Sequence, residues 1–286
     1  MLAESKILKY LAANIFNYFF DIFSSFSNYY MKTLLILSSA LTASSVARSI
    51  ESVIALNNHI KSCGDHEYLF IKYCVICADL RNCPPPLNLE NLSILHILQS
   101  GIGLYAALNT GLKMFKADFL YVLQDDLLSP AEFFEALSSV VKLSNLFTHF
   151  WFPVYDESIS NFIYPAHPSE AVLGPLGKHQ GLLLNLNLLL KLECDVLFCE
   201  KFKILGDINQ HFRLLPNSIH YSSCSRIPIA HCTKGGVSSK PSILRFFEAI
   251  SARVVGCNIY NSIFSIIIKV YYFLNPVKRF HKILFN

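Results

Sequence analysis

ADFLYVLQDDLLSPAEFFE, residues 117–135, passes from a buried strand into a helix through a pair of acids. Residues 119–123 are a short apolar run of strand type, and the run stops at Gln124, Asp125 and Asp126. Ser129 then fits a helix N-cap, Pro130 the first helical position and Glu132 the third, from which a carboxylate can reach back to the cap. Two adjacent carboxylates therefore stand at the carboxyl end of a strand, the edge where open α/β sheets bind ligands. Such a pair repels itself unless a cation or water intervenes. One reading is a divalent-metal site with hard oxygen ligands suited to Mg²⁺ or Mn²⁺. The other is a solvated acidic loop, since Asp is common in turns.

Working outward, residues 103–115 read as a helix entered through glycines, and residues 94–98 as a strand. Three prolines break the chain within residues 81–86. Residues 68–77 form a long β-branched and aromatic strand, residues 43–57 carry helical periodicity, and residues 33–38 form a first buried strand. Strands alternating with helices predict an α/β protein with a mostly parallel sheet flanked by helices. There is no internal repeat and no low-complexity linker.

The 286 residues allow one large α/β domain or one domain with appendages. Hydrophobic residues make up 53% and charged residues 15%, which points to a membrane-facing part. The net charge of +4 does not indicate a nucleic-acid binder. Nine cysteines show no disulfide framework, and the Cys74–Cys77 pair has no second pair at zinc-ribbon spacing, so reduced thiols in a reducing compartment are expected.

Residues 1–31 read as an amphipathic extension, with Ile7, Leu8, Leu11, Ile15, Phe19, Ile22 and Phe23 at helical spacing. A translation start at Met31 is the alternative. The run from Met31 imitates a signal peptide but serves better as the first core strand. Residues 241–286 form a separate helical tail. Arg245 and Glu248 fall on the polar side of its first helix. Residues 259–274 are nearly apolar, and Lys278, Arg279 and Lys282 alternate with Phe280, Ile283 and Phe285. An in-plane anchor on anionic lipid fits this pattern better than a span, and a helix folded back over the domain is the alternative. The expected location is cytoplasmic, peripheral at the inner face of the membrane.

The segment GIGLYAALNTGLKMFKADFLYVLQDDLLSP resembles a stretch of family 2 glycosyltransferases with the GT-A fold, in their bacterial exopolysaccharide, colanic-acid-like branch. Gly103, Tyr105, Ala107, Asn109 and Gly111 fall in register, followed by Asp125-Asp126 and Pro130. His179-Gln180 resembles the family's HQ, residues 201–214 its segment with an acidic residue at Asp207, and residues 226–242 its stretch ending in GGxS. The likeness spans a domain of residues 32–240. Gly101, Ala106 and Thr110 depart from the family's Asp, Asp and Lys. The second strand ends in Cys77-Ala78-Asp79 instead of the acidic run that holds uracil, where Asp79 substitutes only if the register slips by two residues.

The resemblance implies an inverting, metal-assisted transfer of a sugar from a nucleotide-sugar donor to a glycan or lipid-linked acceptor. Asp126 would hold the metal, with Asp125 assisting it or the ribose, and Asn109 and Asp79 would contact the donor. Asp207 would be the base that takes the acceptor's proton, and its alternative is a helix N-cap. His179 and Gln180 would line the acceptor cleft, or His179 is a core histidine. Lys234-Gly235-Gly236 could meet phosphate or form a plain loop. Trp151 reads as core, and His211, His220 and His231 have no metal-ligand spacing. The competing reading is a degenerate, non-catalytic GT-A-like binding or scaffold protein at a membrane, favoured by the missing donor-site acids.

Overall fold

A computed structural model describes residues 31–40, 46–64, 69–80, 85–233 and 247–252. β1 (Lys32–Ala40) is central to the large sheet because it is apolar on both faces: Leu34, Leu35, Ile36 and Leu37 are fully buried. It pairs in parallel with β2 (Leu69–Cys77) on one side and with β5 (Phe119–Val122) on the other. Beyond β2 lies parallel β4 (Leu92–Leu98), and β3 (Leu87–Leu89) folds back on it as an antiparallel edge. Beyond β5 come β10 (Leu182–Asn185), antiparallel to both neighbours, then β7 (His149–Trp151) and β11 (His220–Ser222). The order is β11-β7-β10-β5-β1-β2-β4-β3. The parallel strands β5, β1, β2 and β4 end on one edge, which carries Gln124, Asp125, Asp126 and Asp79.

Alternate residues of the central strands feed two cores. On one face α1 (Ala47–Ser62) and α3 (Pro130–Leu143) pack Val53, Leu56, Phe133 and Leu137 against Leu34, Ile36, Tyr73 and Tyr121. On the other, α2 (Leu104–Met114), α4 (Leu186–Lys191) and α5 (Gly206–Leu214) pack against Leu35, Leu37, Ile76 and Leu120. A Cβ on Gly111 would stand 2.6 Å from Leu37 Cδ2, so glycine lets α2 approach β1. Trp151 is buried, in a small third cluster with Ala171 and Leu176.

A second sheet was not foreseen. β6 (Leu127–Leu128), β12 (Ala230–Cys232), β8 (Val154–Asp156) and β9 (Asn161–Ile163) lie in the order β6-β12-β8-β9. It recruits the two apolar residues after the acid pair. This also alters the cap of α3: Ser129 occupies the N-cap position before Pro130 but makes no side-chain cap bond. Its N–H donates to the Ile229 carbonyl, and its own carbonyl accepts from Phe133.

Other boundaries shift as well. α1 runs from Ala47 to Ser62, later than the expected 43–57. The N-cap of α5 is Leu205, so Asp207 sits inside the first turn and is not the cap. Residues 247–252 are helical, yet Glu248 is 8% exposed and not on a solvent face. Its carboxylate accepts the N–H groups of Lys203, Ile204 and Leu205, which precede α5. The start of the expected tail is thus docked on the domain. The N-terminal extension through residue 30 and the apolar-basic segment from residue 253 lie outside the described residues. Among the described residues no helix is long and apolar enough to cross a membrane.

Candidate active site

The acid pair leaves β5 through a tight turn. Gln124 adopts a left-handed φ of 59°, sparsely populated for a residue with a Cβ. Two contacts with the end of β1 stabilise it: Ser38 Oγ donates to the Gln124 carbonyl at 2.7 Å, and the Ser39 N–H donates to its Oε1 at 3.1 Å. The turn points Asp125 outward, where it is exposed, and Asp126 inward, where it is 3% exposed.

Asp126 is held from three directions. The Thr233 N–H at the end of β12 donates to its Oδ1 at 2.7 Å, Ser49 Oγ of α1 donates to its backbone carbonyl at 2.7 Å, and the Gln180 side chain lies near its carboxylate and favours the ionised form. Burial nevertheless pushes its carboxyl up to about 6. The Thr233 bond opposes that rise, nearby Asp125 adds to it, and Gln180 and Lys178 oppose it. A desolvated carboxylate of this kind gains from any cation that reaches it.

The residues before β10 connect this carboxylate to the second one. Residues 179–181 form a short 3₁₀ turn against β8, so close that a Cβ on Gly181 would stand 2.2 Å from the Phe152 carbonyl oxygen. The Gln180 carbonyl accepts from Tyr121 Oη at 2.6 Å. His179 Nδ1 lies 3.9 Å from Asp207 Oδ2. Burial keeps the His179 ring below its ordinary value, against the pull of Asp207, so it is a neutral imidazole at pH 7. Consecutive residues of one turn therefore face Asp126 and Asp207, although the two acids come from opposite faces of the large sheet's edge.

Lys178 precedes that turn, and its Nζ lies 2.5 Å from Oδ2 of buried Asp156 on β8. Burial alone would raise Asp156, but the bonds from Lys178 and Ser158 outweigh it and hold the carboxyl below its ordinary value. Cys232 lies in the same inner layer, and burial, reinforced by Asp126, pushes its thiol up to about 12. Lys178 and Thr233 were not singled out in the sequence. Their only signal is position, directly before His179-Gln180 and before the Lys234-Gly235-Gly236 stretch, which lies outside the described residues.

Asp207 receives a hydrogen bond from Tyr105 Oη at 3.1 Å. Asn109 does not face this cleft. Both amide hydrogens are taken up, by the Phe198 carbonyl at 2.9 Å and Glu200 Oε1 at 2.9 Å, while its Oδ1 accepts the Phe198 N–H at 2.8 Å. It braces the loop that carries Phe198. Asp79 is half-buried just past the end of β2, on the same sheet edge as the acid pair. Among the described residues no group of three or more His, Cys, Asp or Glu could hold a metal ion. The histidines without metal-ligand spacing are partly gathered elsewhere: His211 and His220 cluster with His149 beside Trp151, in tilted and edge-on ring contacts, and His231 lies apart, beside Tyr155.

The eight-stranded sheet with its two helix layers has counterparts among solved structures. The chain is similar in fold to S. aureus TarS. Residues 1–349 of TarS superpose with a TM-score of 0.54 at 13% identity, over 81% of this chain and 68% of that one. TarS 1–349 in complex with UDP-GlcNAc gives a TM-score of 0.53 at 14% identity, over 81% and 69%. At such identities the likeness speaks to the fold alone, a mixed α/β arrangement with a large central sheet flanked by helices. No family model matches the sequence, and no curated protein does.

Proposed function

We propose that this chain is an inverting glycosyltransferase of the GT-A type that moves a sugar from a uridine-diphosphate donor to a glycan or lipid-linked acceptor. The observation that carries the reading is the 179–181 turn, whose successive side chains meet Asp207 and Asp126 on a fold similar to one solved with UDP-GlcNAc. Inversion needs a base for the incoming hydroxyl on the face opposite the leaving group, and Asp207 and Asp126 are proposed for those two sides.

Asp125 and Asp126 fit Mg²⁺ or Mn²⁺: they offer oxygen donors, on one buried carboxylate and on an exposed partner. Mg²⁺ commonly takes only one or two protein carboxylates and completes its shell with water and phosphate. Bound there, it would neutralise charge developing on the departing diphosphate. The chain's own residues do the rest. Thr233 and Gln180 aim the Asp126 carboxylate, and Lys178 adds positive charge beside it. Asp207 accepts the proton of the attacking hydroxyl, and neutral His179 lines the path to it. Asp79, just past the end of β2 on the same sheet edge, is the acid proposed to contact the donor. Asn109 is assigned to the Phe198 loop.

Thermal shift with UDP tests the reading. Melting should rise with UDP plus Mn²⁺, Asp126→Ala should abolish the metal-dependent part, and Asp125→Ala should only weaken it. Equal Mn²⁺-dependent UDP affinity in wild type and Asp126→Ala would sink the metal assignment. Absence of any UDP effect would favour the non-catalytic scaffold, which the lost acids at Gly101, Ala106 and the end of the second strand support. The basic-apolar tail is proposed to bring the enzyme to the membrane surface carrying its acceptor. Deleting residues 258–286 should release it from membranes without unfolding it, and a truncated protein that still sediments with membranes would exclude that anchor.

A further inference from the structure

The geometry points to Tyr105 as the positioning residue of Asp207, one that fixes which carboxylate oxygen takes the acceptor's proton. The inference rests on the reading of Asp207 as the base. The Tyr105 ring is immobilised on two sides. It stacks on Phe198 with centroids 5.5 Å apart at 27°, and it lies so close to the α5 backbone that a Cβ on Gly206 would stand 2.7 Å from the ring. Glycine directly before Asp207 is what admits the ring. With the ring fixed, the remaining freedom is rotation of the O–H bond.

That bond has two acceptors for one proton. Tyr105 Oη lies 2.7 Å from the Ile204 carbonyl oxygen and 3.1 Å from Asp207 Oδ1. Burial, reinforced by Asp207, pushes the phenol well above its ordinary value, so it stays a donor. With Asp207 ionised, the proton turns to Oδ1, where a charge-assisted bond is the stronger one. Oδ2, the oxygen toward His179, is left as the atom that receives the acceptor's proton. As the acceptor oxygen bonds to the anomeric carbon, the bond from that carbon to the diphosphate oxygen breaks. Its electron pair leaves with the diphosphate, and the acceptor's proton passes to Oδ2. Neutral Asp207 is then a weaker acceptor, and the Tyr105 proton swings to Ile204, so no buried donor is stranded in either state. The Ile204 carbonyl is fixed for this, because its own N–H and those of Lys203 and Leu205 are bound by Glu248. Among the described residues, Tyr105 from α2 and His179 from the 179–181 turn face Asp207, and Glu248 lies one loop away.

Tyr105→Phe keeps the ring, its stack on Phe198 and its seat on Gly206, and removes only the hydroxyl. With UDP-GlcNAc as the probe, hydrolysis or transfer should fall roughly ten- to a hundred-fold in kcat, the range a hydrogen bond to a charged group supplies. KM and UDP affinity should stay within about two-fold, as expected when an interaction specific to the transition state is lost. An unchanged kcat would overturn the inference, as would a change confined to KM. A second arm needs no substrate. The loss in urea midpoint caused by Tyr105→Phe should be larger with Asp207 present than in an Asp207→Ala background. Equal losses would show that Tyr105 serves Ile204 alone and would also overturn it. If wild type neither binds UDP nor consumes UDP-GlcNAc, the catalytic use of the pair falls with the function, while the midpoints alone still decide whether the two residues are coupled.

Discussion

Replacing Asp126 with Asn should stabilise the unliganded protein at neutral pH. Its carboxyl is raised from an ordinary 3.8 to about 6, chiefly by burial. Below the lower value both folded and unfolded chains hold the proton, and the residue has no effect on stability. As pH rises between the two values the unfolded chain ionises first and stability falls. Above the folded value the cost is constant. At about 1.4 kcal/mol per pH unit, the gap corresponds to about 3 kcal/mol against the fold at pH 7. Asn retains an acceptor for the Thr233 N–H but weakens a charge-assisted bond, so the measured gain should be about 1–3 kcal/mol. Urea unfolding of both proteins in EDTA at pH 7 and pH 4 provides the assay. The variant should be the more stable at pH 7, and the difference should shrink toward zero at pH 4. A difference independent of pH, or a wild type that gains on the variant as pH rises, would refute the electrostatic reasoning. Saturating Mn²⁺ should close the gap at pH 7 from the other side by stabilising wild type alone.

Asp207→Asn should keep UDP affinity and lose about 10²- to 10⁴-fold in transfer, since the shape stays and the base goes; retained turnover measured by UDP release would remove Asp207 from the chemistry. The buried histidines should make the fold acid-sensitive. Burial, reinforced by His211, takes His220 from 6.5 to about 4, and His149 is pushed well below its ordinary value by burial and by His220 and His211. The unfolded chain is protonated first as pH falls from 6.5, so His220 alone should cost about 3 kcal/mol by pH 4. His220→Phe should flatten that fall, and an unaltered slope in acid unfolding would exclude the cluster as its source. Gly181→Ala drives a methyl into the Phe152 carbonyl oxygen and should cost about 3 kcal/mol or more by thermal unfolding, with weaker UDP binding as Gln180 is displaced. Full stability in that variant would mean the turn has room to shift.

The layered α/β architecture was legible in the sequence because its signals are local. Residues 33–38, 68–77 and 119–123 are apolar runs that only a sheet covered on both faces can hide, and Pro130 marks a helix start. The resemblance carried by Tyr105, Asn109, Asp125-Asp126 and His179-Gln180 pointed to the sheet edge where those residues stand. What sequence could not decide depends on partners distant in the chain. The second sheet is made of strands of two or three residues, too short for any period, and it forms because β6, β12 and β8 satisfy one another's backbone groups. That sheet buries Asp126 and brings Thr233, 107 residues away, onto its carboxylate. Asn109 and Asp125 read alike as polar residues in a motif, yet packing turned one toward a loop and left the other exposed. Lys178 carried no signal beyond its position, and Tyr105 only its place in the motif. They acquire a role only where β8 supplies Asp156 and the first turn of α5 supplies Asp207, because a charge or a hydroxyl becomes directional only when folding fixes what it faces and excludes the water that would otherwise satisfy it.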